Sequence, residues 1–290
     1  MQATTSGWGS GWGSGFLGML IFSGSLPATR VAVGGFSPLF LTSVRAVLAA
    51  CIAIALLKLL REARPGRSDL MSLLIVALGV VVGFPLLTAM ALQYITAAHS
   101  IVFIGLLPLA TAIFATLRGG ERPAPLFWLF SCMGSMLVAG YALSQSTEMQ
   151  WSGDLLMVAA VLVCGLGYAE GAVLSRRLGG WQVICWALVL SLPVMAAIVL
   201  AVWPSGFGRV NSAEWIGLGY VSVFSMLVGF VFWYRGLAIG GTAKIGQLQL
   251  LQPFFGMMLA WLFLHEPVAP SMVGITALVV LCVAGAKRFA

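Results

Sequence analysis

Two polar words ending in proline stand inside the most apolar parts of this chain: Ser23-Gly-Ser-Leu-Pro27 and Gln249-Leu-Leu-Gln-Pro253. A proline within a helix has no N–H to donate, so the carbonyl four residues earlier loses its partner. Those carbonyls belong to Ser23 and Gln249, whose side chains are polar as well. Such a pairing suits a water-filled cavity that coordinates a zwitterion; the alternative is a kink repaired by neighbouring helices. Pro85, Pro108 and Pro193 also fall within apolar stretches and read as kinks. Glu170 is the only acid well inside such a stretch, where a lone carboxylate requires a partner or a proton. It reads either as a proton or substrate-ammonium site, with Tyr168 nearby along the chain, or as a structural partner of Arg176, Arg177 or Lys244. Phe84 and Thr88, four residues apart around Pro85, place a ring and a hydroxyl on one helical surface. Phe103 adds a further ring, with plain packing as the ordinary alternative for each aromatic. The expected cavity residues are therefore Ser23, Phe84, Thr88, Phe103, Tyr168, Glu170 and Gln249, and His99 and Lys244 read as gates or interfacial anchors. No catalytic, metal-binding or cofactor-binding set is expected.

The elements that must hold these residues follow from composition. Hydrophobic residues make up 61% of the chain and charged ones 8%, against roughly 25% charged in a soluble domain. A spanning helix needs about 20 predominantly apolar residues. Ten such stretches can be read, near 16–34, 37–58, 70–92, 97–117, 125–144, 152–174, 181–203, 214–235, 242–263 and 269–287. The expected fold is an all-α polytopic membrane protein.

Shifted by 145 residues, half its length of 290, the chain matches itself. Leu106, Pro108, Ala115, Leu117, Glu121, Ala124 and Pro125 align without a gap on Leu251, Pro253, Ala260, Leu262, Glu266, Ala269 and Pro270, and Gly34-Gly35 keeps register with Gly179-Gly180. Chance in an apolar chain does not easily align several prolines, a carboxylate and a glycine pair, so the chain is a duplication. Its expected organisation is a flexible tail over 1–15, a first five-helix repeat over 16–145 and a second over 146–290. Five spans per repeat is odd, so the second repeat enters the membrane from the opposite face and the repeats are inverted. Such halves can exchange conformations with one another and alternate access to a central site.

The net charge of +7 is a topology signal rather than a nucleic-acid one. Lys58, Arg61, Arg64, Arg67, Arg118, Arg122, Arg176, Arg177, Arg235, Lys244, Lys287 and Arg288 fall on one side of the ten-span arrangement. Arg209 and Arg30 fall on the other, beside Glu148, Asp154, Glu214 and Glu266. This asymmetry predicts cytoplasmic termini. The glycine-rich run ending at Gly15 has no positive n-region, so it reads as a tail with Trp8 and Trp12 at the interface and not as a signal peptide. Five cysteines, each inside an apolar stretch, form no paired spacing. Gly165, Gly167 and Gly171 read as a close-packing face.

Phe22-Ser-Gly-Ser-Leu-Pro-Ala-Thr-Arg30, Phe36-Ser-Pro38 and Arg45-Ala-Val-Leu-Ala-Ala50 resemble the first helix pair of the drug/metabolite transporter superfamily, in its EamA-type ten-helix branch. Leu107-Pro-Leu-Ala-Thr-Ala112 before Glu121, and Leu251-Gln-Pro-Phe-Phe255 before His265-Glu-Pro267, resemble its fourth and ninth helices. Length, span layout and the spacing from Ser to Arg in the first helix are also similar to the bacterial aromatic amino-acid exporters. Gly83-Phe-Pro-Leu-Leu-Thr88 departs from the Tyr/His-rich third helix of that type. By this resemblance Arg45 is a structural arginine, and the function implied is export of amino acids or related metabolites across the inner membrane. The partners implied are a small-molecule substrate and membrane lipids, with protons as one possible coupling ion, and no oligomer is required. A flippase for a lipid-linked sugar and a membrane enzyme on lipid-linked substrates remain alternatives. The latter needs clustered acids and histidines, whereas His99 and His265 have no convergent acidic cluster. No Gly-x-x-x-x-Gly-Lys-Ser/Thr loop is present for ATP.

Overall fold

The computed structural model describes residues 11–95, 100, 103–145, 151–264 and 270–290. Their regular secondary structure is all helix, with no strand among them. We number the helices α1 (Gly11–Ala32), α2 (Pro38–Leu59), α3 (Arg67–Ala91), α4 (Leu107–Gly119), α5 (Pro125–Gln145), α6 (Trp151–Leu178), α7 (Gly180–Ala201), α8 (Ser212–Gly240), α9 (242–264) and α10 (Pro270–Phe289). Six of them, α1, α2, α3, α6, α7 and α8, are long and apolar enough to cross a membrane by length and composition alone; the described parts of α4 and α5 are shorter apolar helices.

Local sequence sets the helix ends. Ser37 caps α2, its hydroxyl accepting from the Phe40 N–H at 3.3 Å with Pro38 in the first turn. Asn211 and Glu214 cap α8 reciprocally, satisfying two of the donors a helix start leaves unpaired. Gly120, at φ 66°, ends α4 in the left-handed region that favours glycine,.

The long helices pair across the repeats: α1 packs along α8, α3 along α6, and α2 along α7, while α5 packs on α10. The α1–α8 contact corrects an expectation. Residues 11–15 are not tail: α1 begins at Gly11, and its glycines face α8 so closely that a Cβ on Gly11 would lie 2.6 Å from the Gly240 backbone nitrogen. Trp12 likewise packs into the interior beneath the Lys287 ammonium, 4.3 Å from the ring centroid. The same glycines that loosen a chain in water let two membrane helices approach to backbone contact.

Four helices are interrupted among the described residues. α1 breaks at Gly24 between Ser23 and Ser25. α3 and α8 each contain a π-helical stretch, Ala77–Gly83 and Val221–Val228, and the two correspond under the 145-residue shift. In α9, Gln247–Leu251 winds as a 3₁₀-helix before Gln252–Leu264 resumes the α form. Four of the five prolines read as kinks sit just after these or other breaks: Pro27 after Gly24, Pro85 after the first π stretch, Pro108 in the first turn of α4 and Pro253 after the 3₁₀ turn. Pro193 alone of the five lies inside an uninterrupted α-helix.

Candidate functional site

The breaks surround a cavity where the two repeats meet. Phe22, Ser25, Leu26 and Thr29 of α1 line it, with Arg45 of α2, Val80, Phe84, Pro85 and Thr88 of α3, Ile104 just before α4 and Leu107 at its start. Tyr168 of α6, Ser225 and Phe230 of α8 and Gln252 of α9 complete the wall. Its free volume of about 50 Å³ holds a few waters and is far below the few hundred Å³ of a ligand-filled pocket. Wide π turns are common at functional sites; here they put Val80 and Ser225 on opposite repeats against one space.

Polar groups converge on it. The Ser25 hydroxyl donates to Ser225 Oγ at 2.8 Å, and the Arg45 guanidinium donates to the same oxygen at 3.1 Å. Arg45 Nε, Thr88 Oγ1 and Gln252 Oε1 are buried without a hydrogen-bond partner. Gln252 Nε2 donates to the Phe22 carbonyl at 3.4 Å and the Tyr220 hydroxyl to the Ile21 carbonyl at 2.7 Å, so two side chains take up the carbonyls exposed where α1 breaks.

Phe84, Thr88 and Tyr168 line the cavity, and four of the expected residues do not. Ser23 turns back, its hydroxyl donating to the Met19 carbonyl at 2.9 Å. Phe103 is half-buried and packs among core residues. Gln249 is fully buried beside Tyr168, and neither of its amide atoms makes a hydrogen bond of good geometry. Its carbonyl is not freed by Pro253, because the 3₁₀ turn lets it accept from the Gln252 N–H. Glu170 lies at the basic end of the bundle, where it accepts from Ser72 Oγ at 2.5 Å and from Arg118 Nε at 2.9 Å. Its partner is Arg118 and none of the three cations expected. α6 continues for 28 residues, about 42 Å, so eight residues from its end is already outside the middle of a hydrocarbon layer about 30 Å thick.

Among the described residues, Arg118–Glu170 is one of three ion pairs at that end, with Arg176–Glu121 at 2.8 Å and Arg177–Asp69. Each joins the first repeat to the second. Glu121, placed just past the left-handed Gly120, also accepts from the Thr242 and Ala243 N–H groups at 2.8 Å and so caps α9. Lys244 is half-buried in that same first turn; His99 lies outside the described residues. At the other end Phe36 and Phe40 meet Trp203, Phe207 and Trp215, with Phe36–Trp215 centroids 5.0 Å apart. Both ends are thus tied across the repeats, one by charge and one by rings. Replacing Glu170 by Gln should leave the pH profile of transport unchanged and loosen the basic end, seen as faster proteolysis or thiol labelling there. A lost pH response would return Glu170 to the proton pathway.

Comparison with known proteins decides the family. The model of the EamA-like transporter family matches this chain twice, over residues 9–143 and 151–286. The chain belongs to that family. The two matches coincide with the duplication, and the family is one of transporters rather than enzymes. Over all 290 residues of both chains it is 60% identical to an uncharacterized transporter, YdeK, of Bacillus subtilis. It is 26% identical over 285 residues to an S-adenosylmethionine/S-adenosylhomocysteine transporter of Chlamydia trachomatis, covering 92% of this chain and 85% of the relative. A probable terminal-alkyne amino-acid exporter of Streptantibioticus cattleyicolor is 22% identical over 270 residues, 89% of this chain and 87% of the relative.

Arg45 lines the cavity although the family resemblance gave it only a structural role, because only the fold brings it to Ser225, 180 residues away.

Proposed function

We propose that this transporter is a secondary exporter of amino acids or related small metabolites, working by alternating access in the inner membrane with both termini cytoplasmic. The observation that carries this reading is the small cavity between the repeats, lined by apolar rings and by polar atoms that lack partners. A buried polar atom without a partner costs about 1–3 kcal/mol, which a bound polar solute would recover. The inverted halves supply two equivalent conformations, each exposing the cavity to one face. The relatives named for S-adenosylmethionine and for an amino acid share an α-amino acid group in their named compounds. The excess of Arg and Lys at the basic end supports a cytoplasmic position for that end.

The wall is mostly apolar, so L-leucine is the first probe. Purified protein in proteoliposomes loaded with unlabelled leucine should accumulate labelled leucine by exchange, with no requirement for ATP. Absence of exchange for leucine, methionine, phenylalanine and threonine alike would overturn the amino-acid reading.

A further inference from the structure

We propose that Arg45 is the anchor for the substrate's carboxylate, making the cavity selective for carboxylate-bearing solutes. This rests on the transport reading above and goes further, to the chemical class of the cargo.

Arg45 is only 7% exposed, yet none of the ion pairs among the described residues involves it. The three other arginines with carboxylate partners sit at the bundle's end and are far more exposed, between 40% and 59%. The protein has thus paired the charges that water could have solvated and left unpaired the one that water cannot easily reach. A buried charge is expensive unless compensated, and a single serine hydroxyl is a neutral, partial compensation. No Asp or Glu lines the cavity. Its one formal charge is positive, so a monoanionic group brings the site to neutrality, whereas a phosphate dianion would leave it negative. The Nε–H has no partner, and a guanidinium can meet the two oxygens of a carboxylate with parallel N–H donors. Thr88 Oγ1 and Gln252 Oε1, the other unpartnered atoms of the wall, can both accept. They suit the ammonium of a zwitterion without adding negative charge that would compete for Arg45.

The test uses the full chain with leucine and three shape-matched probes. Leucine methyl ester and 3-methylbutylamine keep the amine and lose the carboxylate; 4-methylpentanoate keeps the carboxylate and loses the amine. Leucine and 4-methylpentanoate should compete with labelled leucine, and the ester and amine should not. Arg45→Gln should weaken leucine binding on the order of a hundredfold, the scale of a truncated buried charge pair. Arg45→Lys, which keeps the charge without the planar fork, should recover part of it. Empty Arg45→Gln should melt no lower than wild type, because it removes an uncompensated charge. Equal competition by the ester, unchanged leucine binding by Arg45→Gln, or a variant that melts well below wild type would each overturn the assignment, the last by showing a structural arginine. The transport reading would survive any of these if wild type exchanges leucine. Conversely, if wild type exchanges no amino acid but 4-methylpentanoate raises its melting temperature and not that of Arg45→Gln, the carboxylate site stands and the amino-acid reading falls.

Discussion

Replacing Gly236 by alanine should destabilise this transporter strongly, although it adds a single methyl group. A Cβ at Gly236 would lie 2.6 Å from the Gly15 nitrogen and 2.7 Å from its Cα. These are backbone atoms of α1, which cannot rotate away as a side chain can, so the two helices must separate along the contact that joins the repeats. Overpacking of a well-packed interior typically costs about 1–3 kcal/mol, and the rigid neighbour places this case at the upper end. The detergent-solubilised protein should melt lower and exchange less. Gly219 lies on the same helix with nothing within 4 Å of its Cβ position, so Gly219→Ala should be neutral or slightly stabilising. Equal melting temperatures for the two variants would show that the α1–α8 contact is looser than described.

Replacing Gln249 by leucine should move stability and transport in opposite directions. Gln249 is fully buried on the 3₁₀ turn of α9 beside Tyr168, and neither its amide oxygen nor its nitrogen makes a hydrogen bond of good geometry. Leucine has a similar volume and no polar atoms, so relieving the unmet amide should stabilise the empty protein by roughly 1–3 kcal/mol. Gln247 Oε1, Thr111 Oγ1 and Gln252 Oε1 are unmet too, so a layer of unsatisfied groups accompanies the interrupted stretch of α9. We expect the cavity to enlarge toward this layer when substrate enters. A protein that melts higher and exchanges leucine at least tenfold more slowly would fit that role. A variant that melts lower would mean that the amide is satisfied in the resting protein, and one that exchanges at the wild-type rate would remove Gln249 from the substrate path.

The architecture was legible because it repeats. Hydropathy alone located ten stretches, and the 145-residue shift turned them into two groups of five. The positions of Phe84 and Thr88 on the cavity wall follow similar logic, since Pro85 disturbs α3 there, whereas Tyr168 stands on the unbroken α6 and was singled out only by its nearness to Glu170 along the chain. The π stretch of α8 was less visible: Phe230 replaces the proline that the shift would place opposite Pro85, so nothing local announces the wide turn. The surroundings of Arg45 and Glu170 differ from those expected for a reason that sequence could not supply. Whether a charge is alone depends on what faces it, and Glu170 finds Arg118 across 52 residues while Arg45 finds only a serine across 180. The glycines from Gly11 to Gly15 were ambiguous in another way, because the residue that gives a tail its freedom also gives a helix its closest contacts.

Alternation of one cavity between two faces is tested most directly at Thr88, a wall residue whose hydroxyl has no partner. Thr88→Cys can be placed in a chain whose cysteines at 51, 132, 164, 185 and 282 are replaced by alanine, and reconstituted in vesicles of known orientation. A small membrane-impermeant thiol reagent should label it from the face carrying the basic residues and also from the opposite face, and leucine should slow both reactions. Labelling from one face only, or from both at rates that leucine does not change, would contradict a single substrate cavity opened in turn by the two repeats.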